Sequence, residues 1–353
     1  MLREQYDVAI IGSGPAGAAA ARALSGQGIE TVIIEKAAIP RHKMCGGLLF
    51  ASAVKILRQN FGEIPDRAYG DPRYVKGTLT YPSGNGLPQE LRFRKQDYEG
   101  AGNFVHRGKF DEWLCSCSDA ELIDQCRLAG FSQKNHKILL RLKKDKGSSL
   151  VAVRYLVGAD GAVSRVRKIL FPDMNKTITY IPQVEEWYRG EIDLDPEWFH
   201  AFYDRSLTGF MASVVLKNNI IIPTSGGLGP YSPKEFYRNF ISYLNEKHNL
   251  RIKERIGGYG CVVHDMPASG NFQMGKDNVL LVGEAGGFNR CAEGITSALL
   301  TGKAAGESIL KSMDTGDGPL GFYEELAEPE IAMCGRSIRF MEKTLEVNPY
   351  RRG

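Results

Sequence analysis

The chain has 353 residues, 43% hydrophobic and 24% charged, and its 45 Lys and Arg against 41 Asp and Glu leave a net charge of +4. That length supports two or three compact units with ample core, and the composition is that of an ordinary globular protein. The mild positive balance contains no Lys/Arg run, which argues against nucleic-acid binding, and no apolar run reaches the ~18–20 residues of a membrane span, so the only membrane association left is peripheral contact.

The first strand begins by about residue 6, which leaves no room for a signal peptide. An apolar β-branched run (Val8, Ile10, Ile11) stops at Gly12. Gly14 and Gly17 complete a G-x-G-x-x-G spacing around Pro15 and Ala16, and a helix of small residues runs from Ala16 to Leu24. Gly26 is placed as its C-cap, and a second apolar strand ends at Glu35 and Lys36. Each part suits a dinucleotide site. Gly12 allows the tight turn, Gly14 leaves room for a pyrophosphate against bare backbone, and Gly17 lets the helix lie close on the sheet. The helix start offers free N–H groups and a positive dipole end to the phosphates. Glu35, eighteen residues after Gly17, can accept hydrogen bonds from the ribose hydroxyls of an adenosine.

Residues 37–47 form a loop from Pro40 to Cys45-Gly46-Gly47 that returns to the ligand side. Helical spacing (Ala51, Val54, Ile56, Leu57) predicts a helix over 51–62. Short alternating runs at 77–81 and 90–94 predict strands of a separate sheet. Phe104 to Leu114 reads as a strand end entering a helix with Phe110, Trp113 and Leu114 on one face. Cys115 and Cys117 are two apart on that helix, point to different faces and have no second Cys/His pair nearby, so they read as thiols and not as a metal site. Seven scattered cysteines in all read as reduced, which together with the missing signal segment points to the cytoplasm.

A hairpin is predicted from Ile138–Leu142 and Leu150–Val153 across a Lys-Lys-Asp-Lys-Gly turn, followed by a buried strand from Tyr155 to Gly161. Aromatic-rich strands then fill 176–270, interrupted by a helix at 233–247 with Phe236, Phe240, Tyr243 and Leu244 on its apolar face. The early character returns in the strand and Gly-rich turn of 278–287, and a small-residue helix follows from Gly294 to Leu310. One or two polar-faced helices over 319–347 close the chain. The expected organisation is α/β: a Rossmann-like nucleotide-binding domain (1–62, 101–175, 271–318) with an inserted antiparallel-sheet, α+β substrate domain (63–100, 176–270) and a C-terminal helical segment (319–353).

Three Gly-rich segments, Gly12 to Gly17, Gly158 to Arg165 and Gly283 to Gly287, stand far apart in the chain. In order and spacing they resemble the flavoprotein hydroxylase and reductase superfamily, which binds FAD across one Rossmann-like domain. The resemblance implies that Asp160 and Gly161 match the Asp-Gly segment beside the cofactor. It also implies that Gly283 and Glu284 match a Gly-Asp segment with Glu in place of Asp, and that Arg107 in Arg-x-x-Phe-Asp matches an arginine beside the cofactor. Lys43-Met-Cys45-Gly46-Gly47 looks like the Cys-Gly-Gly loop of the geranylgeranyl reductase family. The likeness covers most of 5–60, 104–168 and 275–310. It stops at the reductases' aromatic-x-Trp-x-Phe-Pro motif, where Phe210 fits but Ala212, Val214 and Val215 do not.

The resemblance implies bound FAD, with Gly294, Ile295 and Thr296 offering N–H groups to the flavin ring, and no second nicotinamide domain, so that NAD(P)H would act only as a transient donor. Cys45 is the candidate catalytic residue and lines the ring pocket, since Gly46 and Gly47 strip side chains from a loop that must lie against a flat ring. The expected activity is reduction or dehydrogenation of a small, apolar, prenyl-type substrate. An FAD monooxygenase and a non-catalytic FAD electron carrier are the alternatives, and oligomeric state is left open. His42, His106 and His264 read as loop or hydrogen-bonded histidines, and Ser164 as a helix cap. Arg165 and Arg167 read either as phosphate partners or as a solvated helix start. The aromatics of 180–210 read as sheet core.

Overall fold

The computed structural model describes residues 2–83, 87–93, 102–134, 137–144, 147–291 and 293–345. The end of the expected 90–94 strand, the tip of the 143–147 turn and residues 346–353 lie outside them. In chain order β1 (Gln5–Ile11), α1 (Pro15–Leu24) and β2 (Thr31–Ile34) make a βαβ unit, followed by β3 (Leu48–Leu49) and α2 (Ala51–Phe61). Strands β4 (Tyr69–Tyr74), β5 (Gly77–Tyr81), β6 (Gln89–Arg92) and β7 (Asn103–Val105) lead into α3 (Arg107–Ser116). Then come β8 (Glu121–Ile123), β9 (Cys126–Lys134), β10 (Lys137–Lys144), β11 (Gly147–Gly158) and α4 (Arg165–Leu170). Strands β12 (Tyr180–Glu191), β13 (Trp198–Phe202), β14 (Ala212–Lys217) and β15 (Ile220–Gly226) precede α5 (Pro233–His248) and β16 (Arg251–His264). Helix α6 (Met266–Ser269), strands β17 (Gly275–Lys276) and β18 (Val279–Leu281), and helices α7 (Gly294–Thr315) and α8 (Pro319–Leu345) follow.

The first sheet runs β17-β18-β11-β1-β2-β8, with β18, β11, β1, β2 and β8 parallel. Val8 and Ile10 of β1 pack into a core with α1, α3 and α7, while Ala9 and Ile11 pack into a second core under the β9–β10 hairpin. A strand buried on both faces needs a continuous apolar run, which is what 8–11 supplies. β10 and β11 pair antiparallel as the sequence predicts. The separate strand expected at 155–161 is instead the second half of β11, which passes through Arg154 without a turn residue and joins β1 in parallel. Helix α7 crosses α1 closely because Gly302 has no side chain, and a Cβ there would stand 2.1 Å from the Ala16 carbonyl oxygen.

The second sheet runs β16-β12-β15-β14-β13-β5-β6. It is antiparallel except for the parallel pair β13–β5. β4, which the sequence reading did not single out, belongs to a small separate sheet β3-β7-β4. The capping box of Ser232 and Glu235 starts α5, which lays Phe240 and Leu244 on Phe202, Val214 and Ile221 of the sheet's outer face. α8 is one helix with Pro329 inside it. Among the described residues no helix is long and apolar enough to cross a membrane.

Candidate functional site

The three Gly-rich segments meet at the C-terminal ends of β1, β11 and β18. Gly12 has φ +108°, and a Cβ on it would lie 2.4 Å from the Ala159 carbonyl oxygen and 3.3 Å from Asp160 Cα. A Cβ on Gly17 would lie 2.0 Å from the Gly12 carbonyl oxygen, and one on Gly283 would lie 3.2 Å from the Ala16 methyl. Gly12 and Gly17 are therefore required by the protein's own backbone. Gly14 differs, because a Cβ there would meet only Arg41 Nη2, at 3.4 Å. Pro15 opens α1 and no side chain caps it, so the first N–H groups face an open cradle that a side chain at 14 would fill. That cradle fits a pyrophosphate.

Glu35 is buried at the end of β2. Its Oε2 accepts from Ser13 N (3.1 Å) and Ser13 Oγ (2.8 Å), and its Oε1 from Ala37 N (3.0 Å). Burial alone would raise its pKa, but the Ala37 N–H, the Arg41 guanidinium and Ser13 outweigh burial and hold the carboxyl below its ordinary value. Lys36 is exposed, outside this cluster. Arg41, which no spacing signal marks in the sequence, stands over the cradle, with Nε 3.4 Å from Glu35 Oε2 and Nη2 2.9 Å from Asp111 Oδ2.

Asp160 turns its carboxylate onto the start of α4, accepting from Ser164 Oγ, from Arg165 N (2.6 Å) and from Val166 N (3.2 Å). Burial pushes its pKa up against those bonds. Gly161 beside it has φ +76°, the left-handed region that suits glycine. Ser164 caps α4 by accepting from Arg167 N (3.0 Å). Neither reading of Arg167 holds, since the side chain is fully buried and meets protein carbonyls, not phosphate or solvent. Its Nη1 donates to Glu284 O (3.1 Å) and Ala285 O (2.8 Å), and its Nη2 to Ala162 O (2.5 Å) and Tyr180 Oη (3.1 Å). Arg167 thus ties the second Gly-rich segment to the third. Arg165 is exposed and donates to Ala129 O (2.9 Å).

Glu284 Oε1 accepts from Asn289 Nδ2 (3.0 Å), and the Glu284 carbonyl oxygen lies 2.8 Å from His264 Nε2. Asn289 Oδ1 is buried without a partner next to Gly294, at the start of α7. An orphaned polar atom beside the N–H groups of Gly294, Ile295 and Thr296 is a second sign of a missing polar ligand. The Thr296 hydroxyl is turned to Glu293 Oε1 (2.5 Å), which also accepts from Ser52.

The Cys-Gly-Gly loop lies where the first unit meets the second sheet. Cys45 Sγ accepts from Gly47 N (3.3 Å) and is in hydrogen-bonding reach of Arg107. Arg107 is buried and bidentate to Asp111 at 2.9 and 3.0 Å. Burial opposes its charge, but Asp111 and Cys45 outweigh that and raise its pKa. Lys217, at the end of β14, donates to Gly46 O (2.6 Å) and Val105 O (3.1 Å). Burial pushes its pKa down to about 8 against the pull of Cys45 and Glu185. The space freed at Gly46 and Gly47 is taken up by the protein itself, because Cβ atoms there would stand 3.0 Å from Val215 Cγ2, 2.3 Å from Val105 O and 2.8 Å from Lys217 Nζ. His42 lies in the 37–47 loop and is packed there against the second sheet. Its ring stacks on Tyr259 at 3.4 Å and meets Trp187 edge-on at 4.5 Å, and burial together with nearby cations drives its pKa down to about 4. Cys115 Sγ donates to Ser13 O (3.3 Å), Cys117 Sγ to Trp113 O (3.3 Å), and no cluster of metal-binding side chains exists among the described residues.

The profile of the FAD binding domain family matches residues 5–185. Protein CbrA of Escherichia coli (strain K12) is 28% identical over 311 residues, which is 84% of this chain and 82% of that protein. A geranylgeranyl bacteriochlorophyll reductase-like protein from Thermoplasma acidophilum shares the fold with TM-score 0.80 at 21% identity, over 98% of this chain and 89% of the other. The p-nitrophenol 4-monooxygenase PnpA from Pseudomonas putida shares it with TM-score 0.69 at 14% identity, over 96% and 90%.

Proposed function

Because the chain belongs to the FAD binding domain family and is an FAD-dependent oxidoreductase, we propose that it works reductively, saturating a carbon–carbon double bond of an apolar, prenyl-type substrate. FAD supplies hydride-transfer chemistry when bound. Gly12, Gly14, Pro15, Ala16 and Gly17 would hold its pyrophosphate on the N–H groups that open α1, under Arg41, and Glu35 would take the ribose hydroxyls. Asp160, Gly161, Gly283 and Glu284 would border the ribityl chain. The N–H groups of Gly294, Ile295 and Thr296 would face the ring edge.

The observation that carries the reductive reading is the thiol of Cys45, within hydrogen-bonding reach of buried Arg107 and close enough to buried Lys217 for their charges to interact. Saturating a double bond needs a proton at one carbon as hydride reaches the other. Cys45 would give that proton, and the two cations would then act on the sulfur that has lost it. In this reading NAD(P)H binds transiently as the electron donor, and the protein acts in the cytoplasm, reaching apolar substrate by peripheral membrane contact.

The test is a single turnover. The FAD-loaded protein is reduced without oxygen and mixed with geranylgeraniol, and the product is weighed by mass spectrometry. A product with two added hydrogens, formed in the absence of oxygen, is expected. A product that gains an oxygen atom from labelled oxygen gas would instead make the protein a monooxygenase.

A further inference from the structure

The face of the second sheet turned to the cofactor segments carries a buried donor with no partner. Gln183 on β12 is 6% exposed, and its Nε2 makes no hydrogen bond. Side chains two apart on a strand share a face, so Gln183 stands beside Glu185. Glu185 identifies that face. Its carboxyl accepts from Trp187 Nε1 (2.8 Å) and from Thr224 Oγ1 (3.3 Å), and the charges of Lys217 and Lys43 act on it. Across the strands Gln183 pairs with Cys261 on one side and Gly226 on the other. The charges that act on Cys261 are those of Lys43, Glu284, Glu185 and Cys45, which places it between the third Gly-rich segment and the Cys-Gly-Gly loop.

We propose that Gln183 is a substrate-binding residue: its Nε2 donates to a carbonyl or hydroxyl oxygen at the polar end of an otherwise apolar substrate, with Glu185 one pleat away along the same face. A donor buried without a partner costs stability in the empty protein and is recovered only by a ligand that brings an acceptor. Burial raises the pKa of Glu185 against the hydrogen bonds and cations around it. The substrate class becomes an amphipathic molecule, a long hydrocarbon bearing an oxygenated end, in place of a plain hydrocarbon. This deepens the reductive reading and rests on it only for the chemistry that follows binding.

The experiment titrates the oxidised, FAD-loaded protein, with no reductant, against geranylgeranial, geranylgeraniol and the same chain ended by a methyl group, reading the flavin absorbance. The two oxygenated ligands are expected to bind about tenfold or more tightly than the hydrocarbon, the value of one buried hydrogen bond whose loss leaves a donor unpaired. Gln183→Leu should bind all three alike, keep its FAD and melt no lower than wild type, because it removes an unsatisfied donor. Equal binding of the three ligands by wild type, binding of none, or a preference that survives in Gln183→Leu overturns the proposal. So does a Gln183→Leu protein that melts well below wild type, since the amide would then be structural. No redox step enters, so this outcome is independent of whether bound substrate is later reduced or oxygenated.

Discussion

Replacing Arg167 by methionine removes a buried guanidinium while keeping much of its volume. Four hydrogen bonds go with it, to the carbonyl oxygens of Glu284, Ala285 and Ala162 and to the Tyr180 hydroxyl. Glu284 O keeps a partner in His264 Nε2 at 2.8 Å, and Tyr180 Oη keeps Asn175 Oδ1 at 3.1 Å. Ala162 O and Ala285 O are left as buried acceptors. At roughly 1–3 kcal/mol for each, the loss is about 2–6 kcal/mol. Part of it returns, because the native protein no longer desolvates a charge that has no carboxylate partner, which leaves a net of about 1–4 kcal/mol. Urea unfolding followed by tryptophan fluorescence measures the change, and the flavin retained after desalting measures its consequence for the site. Since Arg167 joins the Asp-Gly segment to the Gly-Glu segment, the variant should also release FAD about tenfold more readily, as expected when a cradle loses roughly 1.4 kcal/mol of preorganisation. A variant as stable as wild type that holds FAD equally well refutes the reasoning.

Four further outcomes are expected. Gly14→Val should fold normally but lose FAD, because only Arg41 Nη2 stands near the new side chain, whereas Gly17→Ala should destabilise the protein itself, its Cβ falling 2.0 Å from the Gly12 carbonyl oxygen; circular-dichroism melts and flavin absorbance separate the two. Cys45→Ser should keep FAD and slow the oxidation of pre-reduced protein by substrate on the order of 10²–10⁴-fold, while equal single-turnover rates would leave Cys45 as pocket lining. With its folded pKa driven down to about 4 from 6.5, His42 lets the unfolded chain bind the proton first, so stability is full above about pH 6.5 and falls as pH drops toward 4. His42→Phe keeps the stack on Tyr259 and should lose less stability than wild type between neutral and mildly acidic pH; an identical loss counts against it. Lys217 releases its proton at about 8 in the native protein against 10.5 unfolded, so its contribution rises with pH across that window. Urea melts should show that rise in wild type and not in Lys217→Met.

Much of the cofactor half was legible in the sequence because its constraints are local. A strand that stops at Gly12, a turn that needs bare backbone and a helix that starts at Pro15 are each decided within a few residues of one another. Ser164 as a cap is legible for the same reason: an N-cap bonds its own first turn. The glycines of the 45–47 loop show the limit of such reading. Their missing side chains are visible in sequence, but what occupies the space is not, and Val105, Val215 and Lys217 turned out to do so. Arg167 lies 117 residues from Glu284, and Lys217 lies 171 from Gly46. Whether such a cation is solvated, bound to phosphate or buried on carbonyls depends on which segments the fold brings around it. The unpaired amide of Gln183 is the extreme case. In sequence it is one polar residue on an aromatic-rich strand, and only the tertiary structure removes it from water and leaves its donor unpaired.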